Sequence, residues 1–458
     1  FFITKSHQFT VHRSLLHQHI FFHHACAFII LPLQFQWNCW HSSDVLFLFP
    51  NKFFSCTEHI IQHTRRRFVL SVPCIFDLFL LSSEKQIFLM LTKLRPLNEK
   101  AEKKTFVEAY TRGKVYNPTF EYADNKYCTL VRNSFDDVFY TDHYADRAEA
   151  ILEETMRLYG TAASYKAIVW GEVVSPEEAM TRAEAYAQLN NIQTNIEFGK
   201  SLVTTMGKNS LNLVKKTGYY RDIRLDSLLD HELSVHYIRS KNHKLLDPEA
   251  RGVLNQSRQE WVTSQLASTG RKVCSSLRRI LEQHVITMDE EGLASVVTHA
   301  VYNQCHLLFQ PALSNFIVHL AKTSSFFECV HTIMERHYAT DIEDAWIQVM
   351  RAKRSQQNTS LPGGFCKDIL PFVGAIKLLE NIHRVELPLL FVGKFRFGEY
   401  CEHEDLIRAQ YHRHICQLPH FVQHGRDQAY MQILLQMREA NVTALMEGEE
   451  ENKEDSKA

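Results

Sequence analysis

The hexapeptide His231-Glu232-Leu233-Ser234-Val235-His236 constrains the chain most, because it sets two imidazoles five residues apart around a carboxylate. It is one residue longer than H-E-x-x-H, in which two histidines on one helical face bind zinc and the glutamate acts as base. On a regular helix of 3.6 residues per turn, residues five apart are separated by about 140° of rotation. Both rings can reach one ion only if the helix is distorted between them, and a single π-type bulge would absorb the extra residue. Leu225, Leu228, Leu229 and Leu233 lay an apolar stripe along the same stretch, as an amphipathic helix requires. The plainer alternative is such a helix carrying two unrelated histidines, in a chain that has 25.

A catalytic zinc site takes three protein ligands and leaves one position open, with a carboxylate nearby to deprotonate the bound water. His231 and His236 would be two ligands and Glu232 the base. Downstream, Asp289-Glu290-Glu291-Gly292-Leu293-Ala294 opens an apolar, helix-compatible run through Val301. A glutamate on a second helix, facing the histidine pair, would complete a gluzincin arrangement. Taken alone, an acidic pair at a helix N-terminus merely suits the helix dipole. His284 and His299 are rival ligands that spacing does not exclude.

These residues carry a family resemblance. The pairing of H-E-L-S-V-H with the later E-E-G-L-A-S is similar to the microtubule-associated tyrosine carboxypeptidases, part of a wider group of metallopeptidases with QEGLA-type motifs. Further shared strings are Arg351-Ala352-Lys353-Arg354, Pro362-Gly363-Gly364-Phe365-Cys366-Lys367-Asp368, Asn117-Pro118-x-Phe120-x-Tyr122, and Leu387-Pro388-Leu389-Leu390 with Gly393-Lys394 close behind. The resemblance runs from about Tyr116 to about Leu435. It implies one Zn2+ held by His231, His236 and Glu291, with Glu232 as general base. It also implies removal of the C-terminal tyrosine of α-tubulin, hence a cytoplasmic protein of the microtubule cytoskeleton that binds neither nucleic acid nor membrane. A carboxypeptidase must recognise a free carboxylate, and arginine and lysine suit that task. Arg351, Lys353 and Arg354 are the candidates, with Tyr237 and Arg239 as weaker ones.

The chain departs from the family pattern in two ways. His236 and Glu291 are 55 residues apart, longer than the family's usual separation, and Ser234-Val235 stands where Gly-Thr is usual. The excess lies at about 252–288, expected to be a surface excursion or read-through sequence foreign to the fold. Two alternatives accompany the tubulin reading. One is a zinc peptidase of the same family acting on another C-terminus, and the other an inactive microtubule-binding pseudoenzyme.

Composition bounds the rest. Residues 1–89 contain no methionine or glycine but hold fifteen of the 30 phenylalanines and nine of the 25 histidines, so they read as non-native or disordered upstream sequence before Met90. Within them, Phe68–Leu81 is apolar but, at fourteen residues, short of the ~20 that span a bilayer. Residues 90–115 are expected to form a basic flexible arm, with seven Lys or Arg against three Glu between Leu91 and Tyr116. Residues 116–446 make the metallopeptidase domain and 447–458 a disordered acidic tail. Net charge −1 gives no hint of nucleic-acid binding, and eleven cysteines without a C-x-x-C pair suggest reduced thiols. The expected fold class is α+β: a mostly helical, zincin-like domain with a small antiparallel sheet beside the metal-binding helix. Helices are expected over His143–Tyr159, from Pro176 to about Leu189, and at several stretches from Glu291 to Leu445. Asn195–Lys200 and Ser210–Lys215 are expected to pair as a hairpin across a turn at Met206–Asn209, offering an edge to an extended substrate.

Overall fold

Helix-forming segments with short caps dominate the computed structural model, which describes residues 90–199, 204–207, 210–270, 272–302, 306–423 and 427–443. All of them fall in one unit running from Ser71 to Ala458. The upstream segment 1–89 and the tail 447–458 lie outside the described residues. In chain order the helices begin with α1 Glu99–Thr111, α2 Asn125–Phe139, α3 Ala145–Tyr159, α4 Ala162–Val169 and α5 Pro176–Leu189. Then come α6 Asp222–Leu229, a π-helix Asp230–Tyr237, α7 Ile238–His243, α8 Pro248–Thr269 and α9 Ser275–Ala300. The remainder are α10 Phe309–Thr323, α11 Phe326–Glu335, α12 Ile342–Lys353, α13 Leu370–Glu380, α14 Phe397–Glu402, α15 Glu404–Arg413 and α16 Asp427–Arg438. The strands are β1 Val173–Val174, β2 Asn195–Gly199, β3 Thr205–Met206, β4 Ser210–Val214 and β5 Tyr220–Arg221. The protein is therefore α+β and mostly helical.

Local chemistry explains several boundaries. Gly160, at φ 77°, closes α3 in a conformation that a side chain would resist. Ser175 accepts a bond from the Glu178 amide, and Pro176 occupies the first turn of α5, where its missing N–H costs nothing. Ser325 and Glu328 form a reciprocal capping box at the start of α11.

The strand pairing differs from expectation. β2 and β4 run parallel, from Asn195↔Ser210 to Gly199↔Val214, so they are not the two arms of a hairpin. The hairpin partner of β4 is β3, in antiparallel register through Thr205↔Asn212 and Met206↔Leu211. β3 has only two residues and so no alternation of its own to betray it; residues 208 and 209 of the expected turn lie outside the described residues. β1 and β5 make a separate antiparallel pair.

Two apolar cores meet at the π-helix. The smaller gathers Ala179, Ala183, Leu211, Leu213, Leu225, Leu229 and Leu233 between α5 and the three-stranded sheet. The larger takes Val235 and Ile238 together with α8, α9 and α13. The histidine-bearing segment is thus anchored in both cores, through Leu233 in one and Val235 in the other.

The segment expected as a basic flexible arm is instead docked. Phe106 of α1 is fully buried against Phe326 and Trp346, with ring centroids at 5.1 and 5.2 Å. Burying such a side chain contributes on the order of 1.5–3 kcal/mol, enough to hold a solvated, charge-balanced helix down by one face. Residues 252–288 likewise form α8 and the first half of α9, with Leu254, Val262, Leu266, Leu281 and Val285 in the larger core.

The 26-residue α9 contains Gly292, which in a helix interior costs about 1 kcal/mol against alanine. Its reason is the crossing with α13. A Cβ on Gly292 would lie 2.3 Å from the carbonyl carbon of Gly374, and one on Gly374 would lie 2.1 Å from the Met288 oxygen. Backbone meets backbone there, which fixes the height of α9 against the core. Glu290 and Glu291 consequently sit in the middle of a helix rather than at the N-terminus expected for them.

Candidate metal centre

The insertion in H-E-x-x-x-H is absorbed by a π-helix of eight residues, whose last turn passes the Ile238 amide to the Leu233 carbonyl, five residues back. That wider winding returns residues five apart to nearly one side. Side chains behind the segment hold it. The Tyr186 hydroxyl on α5 donates to the Asp230 carboxylate and lies 2.6 Å from Ser234 Oγ. Burial lifts Asp230 to about 7, while the tyrosine bond opposes the rise. Beyond the segment, Arg239 donates to the Gly393 and Phe395 carbonyls and Asn242 to that of Phe391. Tyr237 donates to Gln193 O at 2.8 Å. Arg239 is buried and Tyr237 is tied to that carbonyl, so their weaker candidacy for a substrate pocket lapses.

His231, His236 and Glu291 come together. The two Nε2 atoms are 3.2 Å apart, and each lies 3.7 Å from an oxygen of Glu291. Two ligands bonded to one zinc at about 2.0–2.1 Å can be at most about 4.2 Å apart, so all three separations fit a shared ion. The three could hold a metal ion, and they form the one such group among the described residues. The Glu291 side chain is 31% exposed, so the cluster is open to solvent on that side.

Hydrogen bonding at the far nitrogens fixes which way the rings donate. Thr298 Oγ1 gives its proton to the Ala294 carbonyl at 2.7 Å, which leaves its lone pairs to accept from His231 Nδ1 at 3.1 Å. Glu290 Oε1 accepts from His236 Nδ1 at 2.9 Å and is itself paired with Lys394 Nζ at 3.1 Å. With both Nδ1 atoms as donors, the neutral rings turn both Nε2 lone pairs into the same space, His236 once it has given up the proton that its carboxylate neighbours favour. That donor set suits a cation.

Charge points the same way. Burial, with His236 alongside, lowers His231 to about 4. Burial would lower His236 as well, but the Glu291 and Glu290 carboxylates outweigh it and raise the ring to about 9. Glu232 is pushed up to about 7 by burial, an effect that His236 and the Met206 amide reduce and Glu291 adds to. Glu290 stays well below the usual carboxylate range because Lys394 and His236 overcome its burial. Three carboxylates around two imidazoles make a negative centre. Glu232 Oε2 accepts from the amide of Met206 in β3 at 2.7 Å, so the sheet edge touches the centre through Glu232.

The other expected residues divide. His284 and His299 are buried and donate to carbonyls on their own helix, Ile280 and Ser295, so neither joins the cluster. Lys353 is fully buried and gives its ammonium to the carbonyls of Ala321, Ser324 and Leu361. It closes the end of α10 and cannot serve a substrate carboxylate. Arg354 is tied to Asp368 at 2.7 Å and to the Arg351 carbonyl. Arg351 also reaches Asp368, at 3.1 Å, yet its side chain remains 43% exposed and lies in the field of Glu291.

Glu290, Thr298 and Lys394 were not singled out from the sequence. Glu290 had a signal, since neighbours on a helix point about 100° apart and a pair can serve two sides of one ring. Thr298 had none, and Lys394 figured only within the shared Gly393-Lys394 string with no role attached, because their roles depend on how α9 and the 391–395 loop meet the π-helix.

The site and fold thus define an α+β protein in which a glutamate from one helix meets two histidines of a π-helical H-E-x-x-x-H. No protein-family model matches the chain. It is 27% identical over 353 residues to the human "Microtubule-associated tyrosine carboxypeptidase 1", covering 73% of this chain and 64% of that protein. The mouse protein of the same name is 26% identical over 330 residues, covering 69% of this chain and 62% of the relative. The chain is a homologue of the microtubule-associated tyrosine carboxypeptidases, as its motifs suggested. It spans less than two thirds of the length of these relatives.

Proposed function

We propose that this chain is a zinc-dependent carboxypeptidase that releases the C-terminal tyrosine from the tail of α-tubulin, working in the cytoplasm on microtubules. The observation that carries the reading is the convergence of two imidazole Nε2 atoms and a Glu291 carboxylate within mutual reach of one ion. The relatives' printed names supply the reaction and the microtubule association. His231, His236 and Glu291 would hold the ion. When bound, zinc would acidify a water and take up charge developing on the scissile carbonyl.

The chain's own residues do the rest. Glu232 keeps Oε2 on the Met206 amide, which leaves Oε1 to take a proton from the attacking water and return it to the departing amine. Burial raises its proton affinity, which a base working near neutrality needs. Thr298 and Glu290 stop the rings from turning. The remaining edge of β3 can pair with an extended tail beside the base.

The test is zinc content, then turnover. Purified protein should carry about one equivalent, lost in His231→Ala, and should expose the tail of tyrosinated microtubules. Glu232→Gln should keep the metal and lose about 10²–10⁴-fold in rate. The wild-type rate should fall with acid, because a protonated Glu232 cannot act as base. A cation at the histidine pair draws that fall below pH 7. Full activity in Glu232→Gln would remove Glu232 from the reaction.

A further inference from the structure

Within the field of Glu291 the fold gathers more positive charge than it uses. Asp368 is buried, and two guanidinium groups grip it, Arg351 Nε at 3.1 Å and Arg354 Nη2 at 2.7 Å. One carboxylate therefore answers two arginines. Lys367, the residue before it, adds a third cation. Among the described residues the Lys367 ammonium makes no hydrogen bond and no ion pair within 4 Å, although the side chain is only partly exposed. The contrast with Lys353, whose ammonium meets three carbonyls, is instructive. A half-buried ammonium without a partner loses hydration and receives nothing for it. Arg351 and Lys367 both lie in the field of Glu291. Two cations with an incomplete set of partners thus stand within electrostatic reach of the cluster.

We propose that Lys367, with the exposed side of Arg351, forms the subsite that takes the free α-carboxylate of a peptide's last residue. This rests on the hydrolase reading and adds to it the reason that only a chain end would be cut. Asp368 is the positioning residue: it consumes Arg354 and one edge of Arg351, and it orients the remaining edge. Burial lowers the proton affinity of Lys367, and a bound carboxylate would restore it.

The test uses two short acidic peptides of identical sequence ending in tyrosine, one as free acid and one as amide. Turnover by the zinc-loaded protein and binding to it, measured by calorimetry with Glu232→Gln, are monitored in parallel. The acid should be bound and cut well and the amide poorly. Lys367→Met should raise KM for the acid by about 10–100-fold, the range for a lost charge-assisted hydrogen bond, and bring acid and amide to within a few-fold. Lys367→Arg should retain most of the discrimination. Zinc content and Tm of each variant confirm that the centre is intact, and Arg351→Gln gives a second substitution if Lys367→Met does not fold. Unchanged acid-to-amide ratios in zinc-replete Lys367→Met overturn the subsite. If neither peptide is cut, the hydrolase reading fails, and the binding ratio still decides the subsite.

Discussion

At the scale of single residues, the centre depends on neighbours doing different work. Glu290 and Glu291 are adjacent on α9, yet one holds His236 at Nδ1 and the other approaches it at Nε2. Removing the first should loosen the ring without removing a ligand. Glu290→Ala is expected to weaken zinc retention about 10–100-fold in competition with a chelator, while Glu290→Gln, which keeps an acceptor, loses less. Equal affinity in all three proteins would show that His236 needs no such support. The hexapeptide and the E-E-G-L-A string were legible because their residue types and order have few other uses. What each cation does was not legible. Lys353 and Lys367 look alike in sequence, and only carbonyls brought from α10 and the 361–364 loop decide that one is spent and the other is not.

At the scale of elements, the crossing of α9 and α13 sets where Glu291 stands. Gly292→Ala would drive a methyl into the Gly374 backbone, where no rotamer can yield. Overpacking of this kind costs about 1–3 kcal/mol or more, so a fall in Tm of several degrees is expected. Zinc affinity should fall with it, as Glu291 is displaced. A Tm unchanged by the substitution would mean that the helices can separate freely. Helices with caps and stops of their own, such as α3 before Gly160 and α5 after Ser175-Pro176, were readable. Strand partners were not, because parallel pairing of β2 with β4 is decided by tertiary contact rather than by alternation along either strand.

At the scale of the whole molecule, the histidine segment belongs to two cores and meets a glutamate rooted in the larger one. An ion at the cluster would therefore stitch π-helix to α9. Binding to the folded state alone at 100 times Kd adds about 2.7 kcal/mol, so chelation should lower Tm measurably and added zinc should restore it. Identical melting with and without chelator would count against the cluster as a metal site. The docking of α1 and of residues 252–288 escaped sequence reading for a common reason: a mostly polar helix is held by a few buried side chains, and composition averages those away.

The surplus residue between the histidines also sets the rotational phase of the chain downstream. Deleting Val235 would leave the ordinary H-E-x-x-H, whose imidazoles share a face on a regular helix. Every later position would then swing by about 100°, pulling Arg239 and Asn242 away from the carbonyls of Gly393 and Phe391. The longer motif is thus locked in from its C-terminal side: shortening it would spare the ion's grip and dismantle the wall behind it.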